Sequence, residues 1–566
     1  MIKNYKLKIL NSSAILIIFL LALTLRLYGL DWDQGQHLHP DERFLTMVVN
    51  DIKLPTSLAQ YFDTKSSPLN PYNYPNYQFF VYGTFPIFLT KLVAVLLHLD
   101  DYGHIQLVGR ALSAIFDSFN IFILYWLSLK LFKNKYLQFL PSLLYSFTVL
   151  PLQLSHFFAV DTFLTTFILA CFTALAYSQF ALAGIFFGIA LACKISAIYF
   201  IPIIGIYLIY FFFSKKDFMG FILKSLILLL ISLLVFRLFQ PYSFIGPIKI
   251  NPQFISNIKD LQAMSGSNST FPPAVQWISK VPLLNSLKNI VIWGLGIPVT
   301  LLFFLGLIKI KIKQTSPFIY LSLVWILILY FYQGSQFAHT IRYFLPIYPF
   351  IILVVVYFSK FLNSKFLNLL VLCHLAFGII FLNIYSHPHS RVQASNWIYD
   401  NLPVGSNITN EYWDDPLPLY LPNRDPYVYS GSMLSLYDPD SPEKWQKLDP
   451  IINSTDYMIM SSNRLWGSIP LVPKMYPEAS VFYQNLFAQK LSFEKLIEIN
   501  SYPGITLSFL KKCYYLGLSN FPGIQNSWFT IDPNCNYPGI YLRDDTAEEA
   551  FTVYDHPKVL IFKNNK

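Results

Sequence analysis

Two adjacent carboxylates, Asp41 and Glu42, follow the first long apolar block of the chain in the segment His39-Pro40-Asp41-Glu42. Adjacent carboxylates beside a membrane can supply a general base and a second group that orients an acceptor hydroxyl. The alternative is structural, because proline and acidic residues are favourable in the first turn of a helix. The sequence leaves both interpretations open for this pair.

Four further charged residues stand at the ends of apolar blocks, where a charge is costly and marks a functional candidate. Arg110 precedes one block and Asp161 opens another, although snorkelling and helix capping are the alternatives there. Lys194 separates two apolar blocks with no other charge nearby, and Arg342 stands before a further block. Carboxylates with cations suit a reaction that releases a phosphate, because the acid accepts the proton of an incoming hydroxyl and the cations neutralise the leaving group.

A metal site has weaker support in the sequence. Two histidine pairs, His37 with His39 and His387 with His389, are each separated by one residue, but no His and Cys cluster has the spacing of a transition-metal site. Asp41, Glu42 and Asp161 offer oxygen ligands that suit Mg²⁺ or Mn²⁺, so a divalent cation stays open. We nevertheless expect no metal cofactor, because Arg and Lys already supply positive charge.

The elements that must position these residues are membrane helices. Of the 566 residues, 54% are hydrophobic and only 13% charged, which excludes a soluble globular protein. The net charge of +10 is uneven, with +15 in residues 1–384 (27 Lys+Arg, 12 Asp+Glu) and −5 in residues 385–566 (14 and 19). Lysines between apolar blocks are what topology selection produces, and no base-reading motif accompanies them, so we expect no nucleic-acid partner.

Eleven apolar blocks are predicted to span the membrane; most are near the length of about 20 residues that a span needs, and the block 181–193 is shorter. Lysine groups between them, Lys309, Lys311 and Lys313 among these, are predicted to be cytoplasmic. This rule places the N-terminus inside and the tail outside, and it makes the block 78–98 an interfacial stretch rather than a span. The predicted spans are 12–30, 111–129, 137–156, 162–180, 181–193, 195–213, 218–239, 289–308, 317–333, 343–359 and 366–384.

Three segments lie outside these spans. The loops 31–110, with interfacial helices, and 240–288 are predicted to face outward, as is the tail 385–566. Helix-like stretches at 392–401 and 482–498 alternate in the tail with short apolar runs at 457–460 and 558–562, which predicts a small α/β domain. Cys171, Cys193 and Cys373 lie in apolar blocks, so we expect a disulfide only between Cys513 and Cys535.

The order of these features over about residues 10–360 resembles the lipid-carrier-dependent glycosyltransferases of the GT-C fold. It is most similar to the protein O-mannosyltransferases (glycosyltransferase family 39 type) and the aminoarabinose transferase of lipid A. The resemblance implies that Asp41, with Glu42 beside it, acts as base or acceptor-binding group, and that Arg110, Lys194 and more loosely Arg342 hold the carrier phosphate. Asp161 remains a candidate for binding the acceptor or a metal ion. The motifs that carry the resemblance are His39-Pro40-Asp41-Glu42, Val108-Gly109-Arg110-Ala111-Leu112, Val160-Asp161-Thr162-Phe163 and Lys194-Ile195-Ser196-Ala197.

The sequence therefore predicts an inverting glycosyltransferase with a GT-C transmembrane domain (1–384) and an extracytoplasmic α/β domain (385–566) of unassigned role. It would move a sugar from a polyprenyl-phosphate carrier to a hydroxyl of a protein, lipid or glycan at the outer face of the cytoplasmic membrane. Two alternatives are a lipid-linked-sugar flippase and a membrane-anchored binding protein. A flippase would place its charges near the bilayer midplane, whereas these stand at the ends of spans.

Overall fold

The structure is a computed structural model that describes residues 2–266, 271–308, 315–519 and 527–566, with side chains from residue 13 onward. The predicted cytoplasmic group Lys309, Lys311 and Lys313 lies outside the described residues. The first part of the chain is helical, and it forms the elements α1 (Ile2–Leu27), α2 (Pro40–Asp51), α3 (Leu58–Phe62), α4 (Thr84–Leu96) and α5 (Tyr102–Leu131).

The chain between α1 and α5 contains no long helix. At 1.5 Å per residue the 13 residues of α4 reach about 20 Å, too short for the roughly 30 Å of a hydrocarbon core. This length agrees with the interfacial interpretation of residues 78–98. α2 is a separate amphipathic helix, and it is the element that carries Asp41 and Glu42.

A buried helix lies at the centre of the next group. All 17 residues of α8 are buried, whereas only Leu228 and Ser232 of α11 are. α8 therefore forms the core of the bundle, and α11 presents its leucines outward, as a lipid-facing helix does. The group comprises α6 (Lys135–Ser146), α7 (Val149–Ser155), α8 (Val160–Ala176), α9 (Phe180–Cys193), α10 (Ile201–Lys215) and α11 (Phe218–Phe239).

The predicted span 289–308 is not one straight helix. The helical segments 284–294 and 297–308 meet at an angle of 118°, and Gly296 in the break has a φ of +80°, which favours glycine. The elements of this part are β1 (Phe244–Ile245), β2 (Lys249–Ile250), α12 (Pro252–Met264), α13 (Leu284–Asn289), α14 (Ile297–Ile308), α15 (Pro317–Gly334), α16 (Tyr348–Ser359) and α17 (Ser364–Leu382).

The described helices make this a multi-pass membrane protein. Six helical segments are long and apolar enough to cross a membrane, or eight if each of two bent pairs counts as one span. The bent pairs are α6 with α7, at 54°, and the pair at 284–308. Three other predicted spans coincide with shorter apolar helices at 13–27, 160–176 and 180–193, so the count of eleven stays a prediction.

The tail forms two sheets with helices, as an α/β domain should. The five-stranded sheet has the order β4-β3-β5-β11-β6, in which β3 is parallel to β4 and β5 while β11 is antiparallel to both its neighbours. The four-stranded sheet has the order β7-β10-β8-β9. The elements are α18 (Ser390–Asn401), β3 (Asn407–Glu411), β4 (Ser430–Leu434), α19 (Pro442–Ser454), β5 (Tyr457–Met460), α20 (Pro477–Phe487), β6 (Phe493–Ile499), β7 (Gly504–Thr506), β8 (Cys513–Leu516), β9 (Phe529–Asp532), β10 (Gly539–Leu542), α21 (Glu549–Thr552) and β11 (Val559–Asn564).

One predicted element of the tail is wrong. The stretch 482–498 was expected to be helical, but α20 ends at Phe487, Gln489 has a φ of +54°, and 493–499 is the strand β6. Pairing of β6 with the C-terminal strand β11 overrides the local pattern, and such a long-range contact leaves no local signal. The runs 457–460 and 558–562 are largely strands as predicted, and the predicted disulfide between Cys513 and Cys535 is present.

Candidate active site

The start of α2 separates the two adjacent carboxylates. Pro40 is the first helical residue, and the imidazole of His39 accepts a hydrogen bond of 3.2 Å from the backbone N–H of Glu42, which caps the helix. Successive residues of a helix point about 100° apart. Asp41 and Glu42 therefore join different groups of side chains, and the structure does not bring them to one site as the sequence had led us to expect.

Glu42 lies in a buried cluster with Arg110 and Asp33. The Nε of Arg110 donates to both carboxylate oxygens of Glu42 at 3.0 and 3.1 Å, and its Nη1 donates to Asp33 at 3.0 Å and to the carbonyl of Leu30 at 2.9 Å. The guanidinium also lies 4.4 Å from the ring centroid of Trp32. All three charged side chains have no exposed surface. We call Asp33, Glu42 and Arg110 the buried triad.

This triad fixes the first loop to the helical bundle. The second oxygen of Glu42 accepts the backbone N–H of Phe158 at 2.7 Å, which ties α2 to the turn before α8. Gly109 permits this approach, because a Cβ there would lie 2.2 Å from the ring of Phe158. Burial raises the pKa of Asp33, but the charge of Arg110 outweighs it and holds that pKa below its ordinary value.

The predicted roles of Glu42 and Arg110 need a correction. Every nitrogen of the Arg110 guanidinium already contacts a carboxylate of the triad, and neither side chain reaches a surface. The arrangement therefore gives Arg110 no free group for a carrier phosphate and Glu42 no access to an acceptor. Both side chains hold α2 against α5 and the turn before α8, and neither is exposed.

Asp41 belongs to a second group, which is partly open. Its carboxylate pairs with Nη1 of Arg342, and the hydroxyl of Tyr82 donates a hydrogen bond to it. The side chain of Asp41 is 32% exposed and that of Arg342 is 20% exposed. Burial raises the pKa of Asp41, but the charge of Arg342 outweighs burial and lowers the pKa to about 2. Asp41 is therefore ionised at neutral pH.

Lys194 and Asp161 form the other half of this group. Nζ of Lys194 donates to Asp161 at 2.7 Å. The ring of Tyr343 links the two pairs, since its centroid lies 4.4 Å from Nζ of Lys194 and 5.4 Å from Cζ of Arg342. The structure thus brings together four predicted residues, Asp41, Arg342, Lys194 and Asp161. Tyr343 lies between the two pairs. We call these five residues the paired cluster.

The backbone places Lys194 beside the first loop. α9 ends at Cys193, and Lys194 is extended before the 3₁₀ segment Ile195–Phe200. Gly83 packs on the end of α9, where its N–H donates to the carbonyl of Cys193 at 3.2 Å and an added Cβ would lie 2.1 Å from the carbonyl oxygen of Ala192. This contact brings Tyr82, the partner of Asp41, to the helix end that presents Lys194.

The C-terminal domain also reaches the paired cluster, which sequence reasoning missed. The ring of Tyr554 packs against His39 with centroids 4.2 Å apart. The Glu548 carboxylate accepts the N–H of Ile341 at 2.9 Å and the hydroxyl of Thr340, and so holds the segment before Arg342. Burial raises the pKa of Glu548 to about 7. The nearest signal in the sequence is Val553-Tyr554-Asp555-His556-Pro557, where a tyrosine, an aspartate and a histidine are adjacent.

A buried charged group holds that domain in place. His556 lies between Asp555 and Asp544, whose charges outweigh burial and raise its pKa to about 10. Asp555 in turn accepts hydrogen bonds from the hydroxyl of Tyr385 at 2.8 Å and from the amide of Gln153. These contacts join the tail to α7, so the tail and the helical bundle share one interface.

The predicted oxygen set for a divalent cation is not assembled. Glu42 is in the buried triad, apart from Asp41 and Asp161, which pair with different cations. Within the described ranges, no three His, Cys, Asp or Glu residues are grouped so that they could hold a metal ion. His389 binds the carbonyl of Tyr554 through Nε2 at 3.1 Å, and His37 stacks on Tyr102.

Comparisons place the chain beside a few solved structures. No family model and no curated protein matches the sequence. The Archaeoglobus fulgidus oligosaccharyltransferase in complex with zinc and sulfate is 13% identical, with a TM-score of 0.46 over 82% of this chain and 70% of that one. Its apo form is 12% identical, with a TM-score of 0.48 over 93% and 75%. ArnT from Cupriavidus metallidurans bound to undecaprenyl phosphate is 11% identical, with a TM-score of 0.44 over 81% and 95%.

Fold and site together define a multi-pass membrane protein with a charged, partly open cluster where the first loop, the ends of membrane helices and the C-terminal domain meet. The solved structures named above are an oligosaccharyltransferase and ArnT. Their TM-scores lie below 0.5, so the function proposed next is argued from the residues of this chain.

Proposed function

We propose that this protein is an inverting glycosyltransferase. It takes a sugar from a polyprenyl-phosphate carrier and attaches it to an acceptor hydroxyl at the outer face of the cytoplasmic membrane. The observation that carries the proposal is the paired cluster, in which two carboxylates and two cations meet at a partly open surface between membrane helices and the first loop. Apolar helices suit the lipid carrier, and the charged cluster suits the phosphate and the hydroxyl.

Asp41 is the general base of the proposed reaction. The acceptor oxygen attacks the anomeric carbon, its proton passes to Asp41, and the bond from that carbon to the phosphate oxygen breaks. The carrier phosphate leaves with the bonding electron pair. One displacement of this kind inverts the configuration of the anomeric carbon.

Arg342 and Lys194 are the phosphate ligands in this proposal. Each is paired with a carboxylate, Arg342 with Asp41 and Lys194 with Asp161, and each is partly exposed. When Arg342 turns from Asp41 to the phosphate, Asp41 loses its main stabilising charge and its pKa rises, so it becomes a stronger base. Binding of the carrier therefore activates the base. The proposal requires no divalent cation, because the two side chains supply the positive charge.

The buried triad has a positioning role. Arg110 and Glu42 hold α2 on α5 and on the turn before α8, and α2 carries Asp41. Asp161 orients Lys194 from the first turn of α8. The roles predicted for Glu42, Arg110 and Asp161 are thereby reassigned in this proposal, while Asp41, Lys194 and Arg342 keep theirs.

A vesicle assay tests the proposal against its two alternatives. The full chain is reconstituted in liposomes with a panel of polyprenyl-phosphate sugars and a membrane extract as the source of acceptors. A transferase releases polyprenyl phosphate and consumes the carrier-linked sugar. Translocation of the carrier without consumption would indicate a flippase, and neither event would indicate a binding protein. Either of these two results would contradict the proposal.

A further inference from the structure

The C-terminal domain contains a cavity that the proposed reaction does not use. It has a volume of about 640 Å³ and lies between β6, at the edge of the five-stranded sheet, and the four-stranded sheet. Its lining includes Ile384 and His387, which follow α17. No residue of the paired cluster lines it. The volume falls within the range of about 300–1,000 Å³ typical of small-molecule sites.

Arg543 is the exceptional residue of this cavity. It lines the cavity and is 9% exposed, and its Nη1 is enclosed without a hydrogen-bond partner. Within the described part of the chain, no carboxylate lies within ion-pair distance of its guanidinium, whose side-chain contact is the ring of Tyr515, 5.6 Å away. A buried charge without a partner is unfavourable, so a bound group of opposite charge would stabilise this arginine.

The other buried cations of the domain show that the missing partner is unusual. Arg391 pairs with Asp414 and Asp415, and Arg464 pairs with Glu549. Lys558, which also lines the cavity, pairs with Glu498 and Asp545. Arg543 differs from all three, and a guanidinium is the side chain that binds a carboxylate through two parallel hydrogen bonds.

The walls of the cavity suit a sugar ring. Tyr502, Tyr515 and Tyr541 form one aromatic group, with ring centroids 5.6 and 5.8 Å apart along it. Tyr537 also lines the cavity, and its ring stacks on His387 with centroids 3.8 Å apart. Aromatic faces take the apolar side of a sugar, and polar tips hydrogen-bond its hydroxyls. The lining also includes hydrogen-bonding side chains, among them Asn500, Asp532, Asn534 and Asn536, and the charged side chains of Lys495 and Glu498.

We propose that this cavity binds a carboxylate-bearing saccharide of the uronic-acid type. The guanidinium of Arg543 binds the sugar carboxylate, the tyrosines contact the sugar ring, and Asp532 with the asparagines accepts and donates hydrogen bonds to its hydroxyls. The domain would thereby hold an acidic glycan beside the membrane. This inference does not depend on glycosyl transfer, so it can hold or fail independently of the proposed function.

Binding of simple sugars to the full chain tests this site. The protein is placed in nanodiscs of phosphatidylcholine and titrated with glucuronic and galacturonic acid, with glucose and galactose as the matched neutral sugars, followed by saturation-transfer NMR. We expect saturable binding of at least one acid, about 10-fold tighter than its neutral partner. Arg543→Gln should lower the affinity for that acid to the affinity for the neutral sugar. Lys511→Gln removes an exposed cation of the same domain and should leave the affinity for the acid unchanged.

Further measurements keep the test decisive. If Arg543→Gln does not fold, the Tm of the wild-type protein provides the test. An acidic sugar should raise this Tm, and the matched neutral sugar should not. Tyr537→Ala, which removes an aromatic ring that lines the cavity, should weaken binding of the acid several-fold. Equal affinity for acidic and neutral sugars, undiminished binding by a folded Arg543→Gln protein, or no binding by either acid would overturn the proposal. Saturable binding of glycerol phosphate in place of the acids would identify a lipid-headgroup site and would overturn it as well.

Discussion

Lys194 holds its Nζ 4.4 Å from the ring centroid of Tyr343, and the neighbouring Arg342 lies 5.4 Å from the same centroid. Two cations so close would repel each other if each were not paired with its own carboxylate. Asp41 and Asp161 supply those charges. In the proposed mechanism a phosphate that enters between the cations exchanges places with the carboxylates, and Asp41 is thereby released to act as the base.

Replacement of Asp41 by Asn should remove the base while it preserves the shape of the side chain. We expect turnover to fall about 10²- to 10⁴-fold, the usual loss for a general base, without loss of carrier affinity, because Arg342 then has no carboxylate partner to exchange for the phosphate. The measurement is release of polyprenyl phosphate by the purified protein. Asp31→Asn is the matched control, because Asp31 is an exposed carboxylate of the same loop that accepts only the N–H of Gly35 among its described hydrogen bonds. Parent activity in a folded Asp41→Asn protein would contradict the mechanism.

Replacement of Lys194 by Ala should weaken carrier binding and turnover together. The cation contacts the phosphate before the reaction and more strongly as charge develops on the leaving oxygen, so both KM and kcat should change. Asp161→Asn removes only the group that orients Lys194, and we expect a smaller loss in the same direction. Steady-state kinetics with varied carrier concentration measures both effects. A change of kcat alone in Lys194→Ala would argue against ground-state contact with the phosphate.

The four charged residues of the paired cluster were predictable because charge is rare at the ends of apolar segments and therefore conspicuous, whereas Tyr343 was not predicted. The separation of Asp41 from Glu42 was not, since it depends on where successive helix residues point and on which neighbours receive them. Arg110 looked like a free cation at a helix entrance, but its partners come from the first loop, 68 and 77 residues earlier in the chain. Tyr554 and Glu548 reach the site only through tertiary packing of the tail. Local pattern thus predicts the polar positions, and long-range contacts decide which of them share a site.

Loss of Arg342 should change the pH dependence of the reaction. The charge of Arg342 holds the pKa of Asp41 at about 2, below the ordinary value near 4, so Asp41 is ionised at every pH from 4 upward. In Arg342→Gln the burial that raises this pKa is no longer opposed by that charge. We expect the acid limb of kcat/KM to move to higher pH in the residual activity. Arg43→Gln is the control. Arg43 lies on α2, the helix that carries Asp41, but it pairs with Asp415, so its loss should leave the acid limb in place.

Arg110→Ala should destabilise the protein far more than Lys194→Ala does. Removal of the guanidinium leaves Asp33 and Glu42 buried without a counter-charge, and breaking a buried ion pair in this way costs about 3–5 kcal/mol. Lys194 is partly exposed, so its loss should lower Tm by little. Thermal denaturation of both purified proteins measures the difference. A stable Arg110→Ala protein with selectively weakened carrier binding would restore the phosphate-binding role predicted from the sequence.

Glu548 should make the stability of the domain contact depend on pH. Its pKa is raised by burial to about 7 in the folded protein, against an ordinary 4.5, so between these values the folded state binds more protons than the unfolded state. Stability contributed by the protonated carboxyl is present below about pH 4.5 and is lost as pH rises through 7, by about 3 kcal/mol at 1.36 kcal/mol per pKa unit. Glu548→Gln keeps an acceptor for the N–H of Ile341 and does not titrate, so the fall in Tm between pH 5 and 7.5 should become smaller in this variant. Glu478→Gln, at an exposed position of α20, is the control and should retain the fall. An unchanged slope in Glu548→Gln would show that this carboxyl is already ionised in the folded protein across that range.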